Sequence, residues 1–235
     1  MICLLIRIRN EQNGGAWCPR SVIEDGVKEY LEIDFGEEYR VTQTETQGRF
    51  GNGRGLEFAQ QFQLEYYREV LGRWILYKDH FGRTIFDANQ NTYLSVHQKL
   101  TPPIIATRVR FIPYSVHPRT VCMRVESYGC HFTEGVIHYD CPQGYWKKNP
   151  DVDLRDSSYD GWMDENGILQ GGLGLLVDSV LGPNDFRVPH TNKVTWNLGG
   201  TGIAVEFPIA VSPVESAFKV QSALYIMWWE DVAIK

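Results

Sequence analysis

The chain lacks any C-x-x-C pair, so neither a zinc ribbon nor a thioredoxin-type redox motif can be read from it. It has no run near the ~18 consecutive apolar residues of a membrane helix. The apolar start at Ile2 to Ile6 runs straight into Arg7 and Arg9 without a small-residue cleavage site, which argues against a signal peptide. No Asn-x-Ser/Thr sequon occurs, so glycosylation offers no evidence of secretion. Excess positive charge is missing too: the formal net charge of -6 argues against a nucleic-acid partner and singles out no other. No Ser-His-Asp set or carboxylate pair stands in a catalytic context. His131, His138 and Asp140 have a spacing common at strand ends and read as structural. The glycine-rich run at 51–55 has the composition of a phosphate loop, but no helix follows to present its amides. Internal repeats and low-complexity segments are absent, and no long helical period stands out.

What is present is globular: 43% hydrophobic and 13% aromatic residues over 235 positions, enough for one large β domain or two smaller ones. Residues 106–130 organise the rest. Thr107, Val109 and Phe111 alternate with Arg108 and Arg110; then Val121, Met123 and Val125 alternate with Cys122, Arg124 and Glu126. A period of two predicts strands with one wall on a core and the other on water or a second layer. Pro113 and Pro118 should bracket a loop between them, since proline cannot continue a ladder.

Other short strands are expected at 30–35, where Leu31, Ile33 and Phe35 alternate with Glu32 and Asp34, and at the threonine-rich 41–46. More follow at 62–67, 74–77, 84–86 and 93–96, with Gly, Asn and Pro turns between them. Such a series means an antiparallel sandwich or barrel. From His131 onward Gly and Asp become dense; apolar runs follow at 175–181 and 218–229, with an alternating strand at 203–207. Trp74 and Trp162 read as core or domain-interface residues. The five cysteines, at 3, 18, 122, 130 and 141, leave at least one thiol without an intrachain partner. On the residues alone, buried thiols and disulfides stand equally open.

Taken together, GAWCP at 15–19, EYLEIDF at 29–35, TQGR at 46–49, GLEF at 55–58, RVRFIP at 108–113 and VCMRVESYGC at 121–130 resemble the discoidin (coagulation factor 5/8 type C) domain. More narrowly, the chain resembles the extracellular part of the discoidin domain receptors, collagen-activated receptor tyrosine kinases. DSSYDG at 156–161, GGLGLLVDSVLG at 171–182 and NDFR at 184–187 look like the discoidin-like domain that follows in those receptors. The resemblance implies an all-β fold: a jelly-roll-like discoidin barrel or sandwich, then a truncated second β-sandwich. It divides the chain into an atypical segment at 1–12, a discoidin domain at 13–130 and a discoidin-like domain at 131–235. The opening strand and tryptophan-bearing loop of the discoidin domain, and the later membrane span and kinase, have no counterpart here, so a fragment is expected. Losing the opening strand should expose a sheet edge.

The resemblance also implies a site. Cys18 and Cys122 match cysteines that bridge two loops at one barrel end; Cys130 would pair with a missing first cysteine, for which only Cys3 could substitute. Arg49 and Glu57 match residues of the collagen-binding trench, with Thr120 at an asparagine position and Asn13 standing in for an acidic one. Physically, an arginine fork beside a carboxylate on a rigid loop can read carbonyls and charged side chains of a triple helix. No cofactor is required; a structural calcium ion at Asp178 and the carbonyl of Val180 is the one candidate, although Arg155 and Leu175 replace other ligands. ATP would belong to the kinase alone. The implied function is collagen recognition on the extracellular side of the plasma membrane, with homodimerisation through the parent receptor, no nucleic acid, no membrane insertion by this segment and no catalysis by this chain. The alternatives are a discoidin-type lectin or phospholipid-binding adhesion module, and an accessory module of a secreted enzyme.

Overall fold

The alternation at Leu31, Ile33 and Phe35 opens a 17-residue strand, β1 (Leu31–Gln47), rather than a short one. A computed structural model describes residues 8–9, 15–51, 55–142, 156–178 and 209–211. The first unit takes Met1–Tyr77 with Arg83–Phe132, and the second takes Lys78–Gly82 with Thr133–Lys235.

In the first unit β1 is followed by β2 (Gln61–Arg68), β3 (Arg73–Leu76), β4 (Phe86–Asp87), the 19-residue β5 (Val96–Tyr114) and β6 (Arg124–His131). The antiparallel order is β3-β2-β5-β1-β6, with β4 on β2. Two register shifts, between Asp34 and Tyr39 and between Val41 and Gln43, break the β1–β5 ladder. Bulges bend strands and raise their twist. One half of β5 (Arg108 to Tyr114) pairs with β2, while the second half of β1 (Tyr39 to Gln47) pairs with β6. The two long strands thus link the β3-β2 side of the sheet to β6, and a single buried cluster packs against them. Phe62, Leu64 and Tyr66 of β2, Val109 and Phe111 of β5, Val41 of β1 and Val125 of β6 all belong to it. Each large side chain buried there contributes on the order of 1.5–3 kcal/mol.

The expected short strands 30–35 and 41–46 are therefore one element, and 93–96 is not a strand: only Val96 begins β5, with Tyr93 and Leu94 exposed before it. Pro113 also departs from expectation. It lies buried inside β5, opposite Phe62. Pairing to β1 stops at Phe111, so this end of β5 has a single neighbour and tolerates a residue without an N–H. Pro102 and Pro103 sit in the irregular stretch where the β1–β5 register slips.

The outer face of β5 carries the arginines. Arg108 lies over Tyr67 at 4.0 Å, and Arg110 over Trp74 at 3.6 Å and Tyr30 at 4.1 Å. Glu32 pairs with both, at 3.8 and 2.8 Å. Trp74 is consequently half-buried under a guanidinium and does not join the core.

β6 is an edge strand, and Ile8 and Arg9 lie beside its Glu126, Ser127 and Tyr128. Arg9 donates its backbone N–H to Gln47 at 2.9 Å and sets its guanidinium 2.8 Å from the fully buried Glu45. His97 reaches the same carboxylate at 3.2 Å, and the Tyr128 hydroxyl donates to it. Burial opposes ionisation of Glu45, but hydrogen bonds from Ser95 and Tyr128 and the charges of His97 and Arg9 outweigh it and hold the carboxyl below its ordinary value. A carboxyl depressed on folding contributes stability above its ordinary value of 4.5, lost as the pH falls through the lower folded one. Glu45→Gln is expected to flatten that acid limb in urea unfolding followed from about pH 7 to pH 3. Parallel profiles for the two proteins would refute the assignment.

In the second unit the described strands are β7 (Val136–Pro142), β8 (Trp162–Met163), β9 (Ile168–Gly172) and β10 (Ile209–Val211), in the order β10-β7-β9-β8. The buried Asp156 of the DSSYDG motif ties β7 to the segment that follows β9. It accepts from Tyr139 at 3.0 Å, from the Ser158 hydroxyl at 2.7 Å and from the Leu175 N–H at 2.8 Å. A Cβ on Gly172 would fall 2.2 Å from the Gly161 nitrogen, so both glycines of this contact are required by the close approach. Trp162, read as interior from the sequence, is 49% exposed on the edge strand β8. The expected strand at 203–207 and the apolar run at 218–229 lie outside the described residues.

Candidate functional site

Four segments meet at one end of the first unit. The loop 48–58 leaves β1 and returns toward β2. Its neck is closed by the Arg49 N–H, which donates to the Glu57 carbonyl at 3.0 Å. Above the neck the Arg49 guanidinium stands 3.9 Å from the Glu57 carboxylate, the two side chains 48% and 34% exposed. This is a loose, hydrated pair, worth little to stability, whose groups remain open to a ligand. Gly48 allows no side chain: a Cβ would fall 2.7 Å from that of Phe58 and 2.9 Å from the Thr92 Cα.

The neck is held from beneath by Arg124, the first residue of β6, which is buried. Its Nε donates to the Gly48 carbonyl at 2.7 Å and its Nη2 to the Thr92 carbonyl at 3.1 Å. Arg124 and Cys122 lie on the wall read as facing water or a second layer; both are buried, so it is the covered alternative that holds. Loop backbone covers that wall and offers carbonyls to the guanidinium.

The second segment, 89–94, is fixed by the buried Asn89, which donates to the Thr46 and Leu94 carbonyls at 3.0 and 2.9 Å. The third runs through Arg119, whose guanidinium covers the Phe58 ring at 4.2 Å, to Thr120, exposed beside it. The fourth, 15–23, joins the third through the Trp17–Met123 and Ile23–Arg119 bridges. Cys18 and Cys122 form a disulfide there, with Cα atoms 4.2 Å apart.

Of the residues singled out from the sequence, Arg49, Glu57, Cys18, Cys122 and Thr120 come together at this end. Asn13 lies outside the described residues. Sequence reasoning missed the positioning set of Arg124, Asn89, Asn91, Thr92 and Gln47, because nothing local marks a polar side chain that will meet carbonyls from a distant loop. Cys130 is an exposed free thiol.

Asp178 belongs to the second unit, where it caps a 3-10 helix (Leu175–Val177). Calcium takes six to eight oxygen ligands. Leu175 is buried and apolar, and no group of three or more His, Cys, Asp or Glu residues that could hold a metal occurs among the described residues. Val180 lies outside the described residues. Nor does any helix among them have the length and apolarity to cross a membrane.

The first unit is thus an antiparallel β-sandwich whose loop end is latched by a disulfide and displays an arginine–carboxylate pair. The F5/8 type C domain family matches residues 6–127, and the DS-like domain of discoidin domain-containing receptor 1/2 matches residues 135–219. The chain is 39% identical over 204 residues to "Discoidin domain-containing receptor tyrosine kinase B" of Caenorhabditis elegans, covering 86% of this chain and 25% of that protein. It is 37% identical over 190 residues to "Epithelial discoidin domain-containing receptor 1" of Mus musculus, covering 80% and 21%. The chain belongs to the discoidin domain receptor family. Among solved structures it is similar to wild-type discoidin II from Dictyostelium discoideum, with a TM-score of 0.41 and 20% identity over 49% of this chain and 41% of that one. The chain spans about a quarter or less of the curated relatives it matches, and the tyrosine kinase named in the first lies outside the matched region.

Proposed function

We propose that the loop end of the first unit recognises fibrillar collagen, as part of the extracellular region of a plasma-membrane receptor that acts as a homodimer and signals through a tyrosine kinase elsewhere in the protein. The observation that carries this reading is the half-exposed Arg49–Glu57 pair on a neck held rigid from beneath. A triple helix offers backbone carbonyls and rows of charged and apolar side chains. The Arg49 fork can donate to a carbonyl or carboxylate of such a rod, while Glu57 accepts from a cation or N–H. Thr120 adds a hydroxyl at the same end, and the Cys18–Cys122 bridge fixes the backbone that carries it.

Arg49→Ala is expected to weaken binding to immobilised native collagen by about tenfold or more, with thermal unfolding unchanged, because the side chain stabilises contacts with the ligand and little in the fold. Heat-denatured collagen serves as the control for triple-helix recognition. Retention of full binding by the variant would remove the pair from the site.

A further inference from the structure

We infer that Leu56, Tyr93 and Leu94 form a preorganised apolar platform beside the Arg49–Glu57 pair, which seats an apolar side chain of the triple helix next to the polar group that the pair reads. The inference rests on the collagen reading above and adds residues that the family resemblance did not supply.

These side chains are 77%, 63% and 59% exposed. Scattered exposed apolar residues need no explanation, but these occupy two loops in direct contact. Thr92, just before Tyr93, donates its hydroxyl to the carbonyl of Gly55, just before Leu56, at 3.4 Å. Leu56 in turn gives its N–H to the Glu57 carboxylate at 3.1 Å, so platform and pair share a backbone.

The platform is also held still. Asn91 accepts the Tyr93 and Leu94 N–H groups at 3.1 and 2.7 Å. Gln47 donates to the Tyr93 carbonyl at 2.7 Å, and Asn89 to that of Leu94 at 2.9 Å. Every backbone polar group of the two residues is thus engaged within the protein, and only their side chains face outward. A surface ordered in advance loses little entropy on binding, the condition under which exposed aromatic and aliphatic groups become anchors.

The chemistry around it selects the occupant. An anionic bilayer would want basic residues around the apolar tips, whereas the neighbouring arginine faces a glutamate and the chain carries a net charge of -6. A sugar would want several hydrogen-bonding groups converging on the platform, whereas the Tyr93 and Leu94 backbone groups are already engaged and two of the three side chains are aliphatic. A rod with an apolar side chain beside a charged one matches both parts of the surface.

The test uses the 235-residue chain with Leu56→Ser and Tyr93→Ser, singly and together, on immobilised native collagen, heat-denatured collagen and phosphatidylserine vesicles. Each single change is expected to weaken native-collagen binding by about tenfold and the pair by more, with the unfolding midpoint unmoved. Val70→Ser, an exposed apolar change in the β2–β3 turn, should leave binding as it is. If the unaltered chain binds native collagen and both serine variants stay within about twofold of it, the platform is overturned while the collagen reading stands. If the unaltered chain does not bind native collagen, the collagen reading fails and the platform with it, and capture by vesicles would then identify the apolar tips as a lipid-binding surface.

Discussion

Reduction of the Cys18–Cys122 bridge is expected to lower the stability of the first unit by about 4–5 kcal/mol. The bond joins residues 104 positions apart, so it closes a loop containing nearly all of the first sheet. A cross-link over that length removes a large share of the unfolded chain's freedom, and the folded state gains by comparison. Domains of this size hold only about 5–15 kcal/mol in reserve. Reductant has a route to the bond: Cys18 is exposed, although Cys122 is buried. Guanidinium unfolding with and without reductant, and with Cys18→Ser and Cys122→Ser combined, measures the effect. Coincident midpoints would show that the bridge does not constrain the chain. Cys130→Ser, at an exposed free thiol, is the matched control and should change little.

Arg124→Met is the second large expectation, at about 3 kcal/mol or more. The guanidinium is buried and donates to two carbonyls from different loops, those of Gly48 and Thr92. Methionine fills similar space but donates nothing, leaving both acceptors buried without these partners, at about 1–3 kcal/mol each. Arg124→Lys keeps the charge but lacks the planar fork that spans the two oxygens, so a partial loss is expected. The loops bearing Arg49 and Tyr93 both hang on this residue, so collagen binding should fall more steeply than that of a surface variant with equal stability. Arg124→Met unfolding within about 1 kcal/mol of the unaltered chain, with the loops intact, would show that the carbonyls find other partners.

Much of the strand inventory was legible because burial on a pleated surface writes a period of two into the chain. Phe62, Leu64 and Tyr66, and likewise Val109 and Phe111, are buried as their alternation requires. The rule fails where both faces of a strand are covered. Thr44, Glu45, Thr46 and Gln47 are consecutive and all buried, because β1 runs there between β5 and β6 and meets loops and the Arg9 segment. Arg124 is buried on the second wall of its strand in the same way. The merging of short strands into long ones was hidden as well, since a bulge keeps the chain extended while interrupting the pattern that marks a strand.

The amino-acid sequence by itself determined the all-β class and, through its motifs, the receptor family, because each rests on residue types in a fixed local order; the bond between Cys18 and Cys122, 104 positions apart, is set by the fold. Only the tertiary structure decided that Arg124, Asn89 and Asn91 are the supports of the loop bearing Arg49 and Glu57 and that Leu56, Tyr93 and Leu94 stand beside it. Hydrogen bonds from a side chain to a carbonyl dozens of residues away leave no mark on the sequence, since any carbonyl can accept and folding alone chooses which one is near.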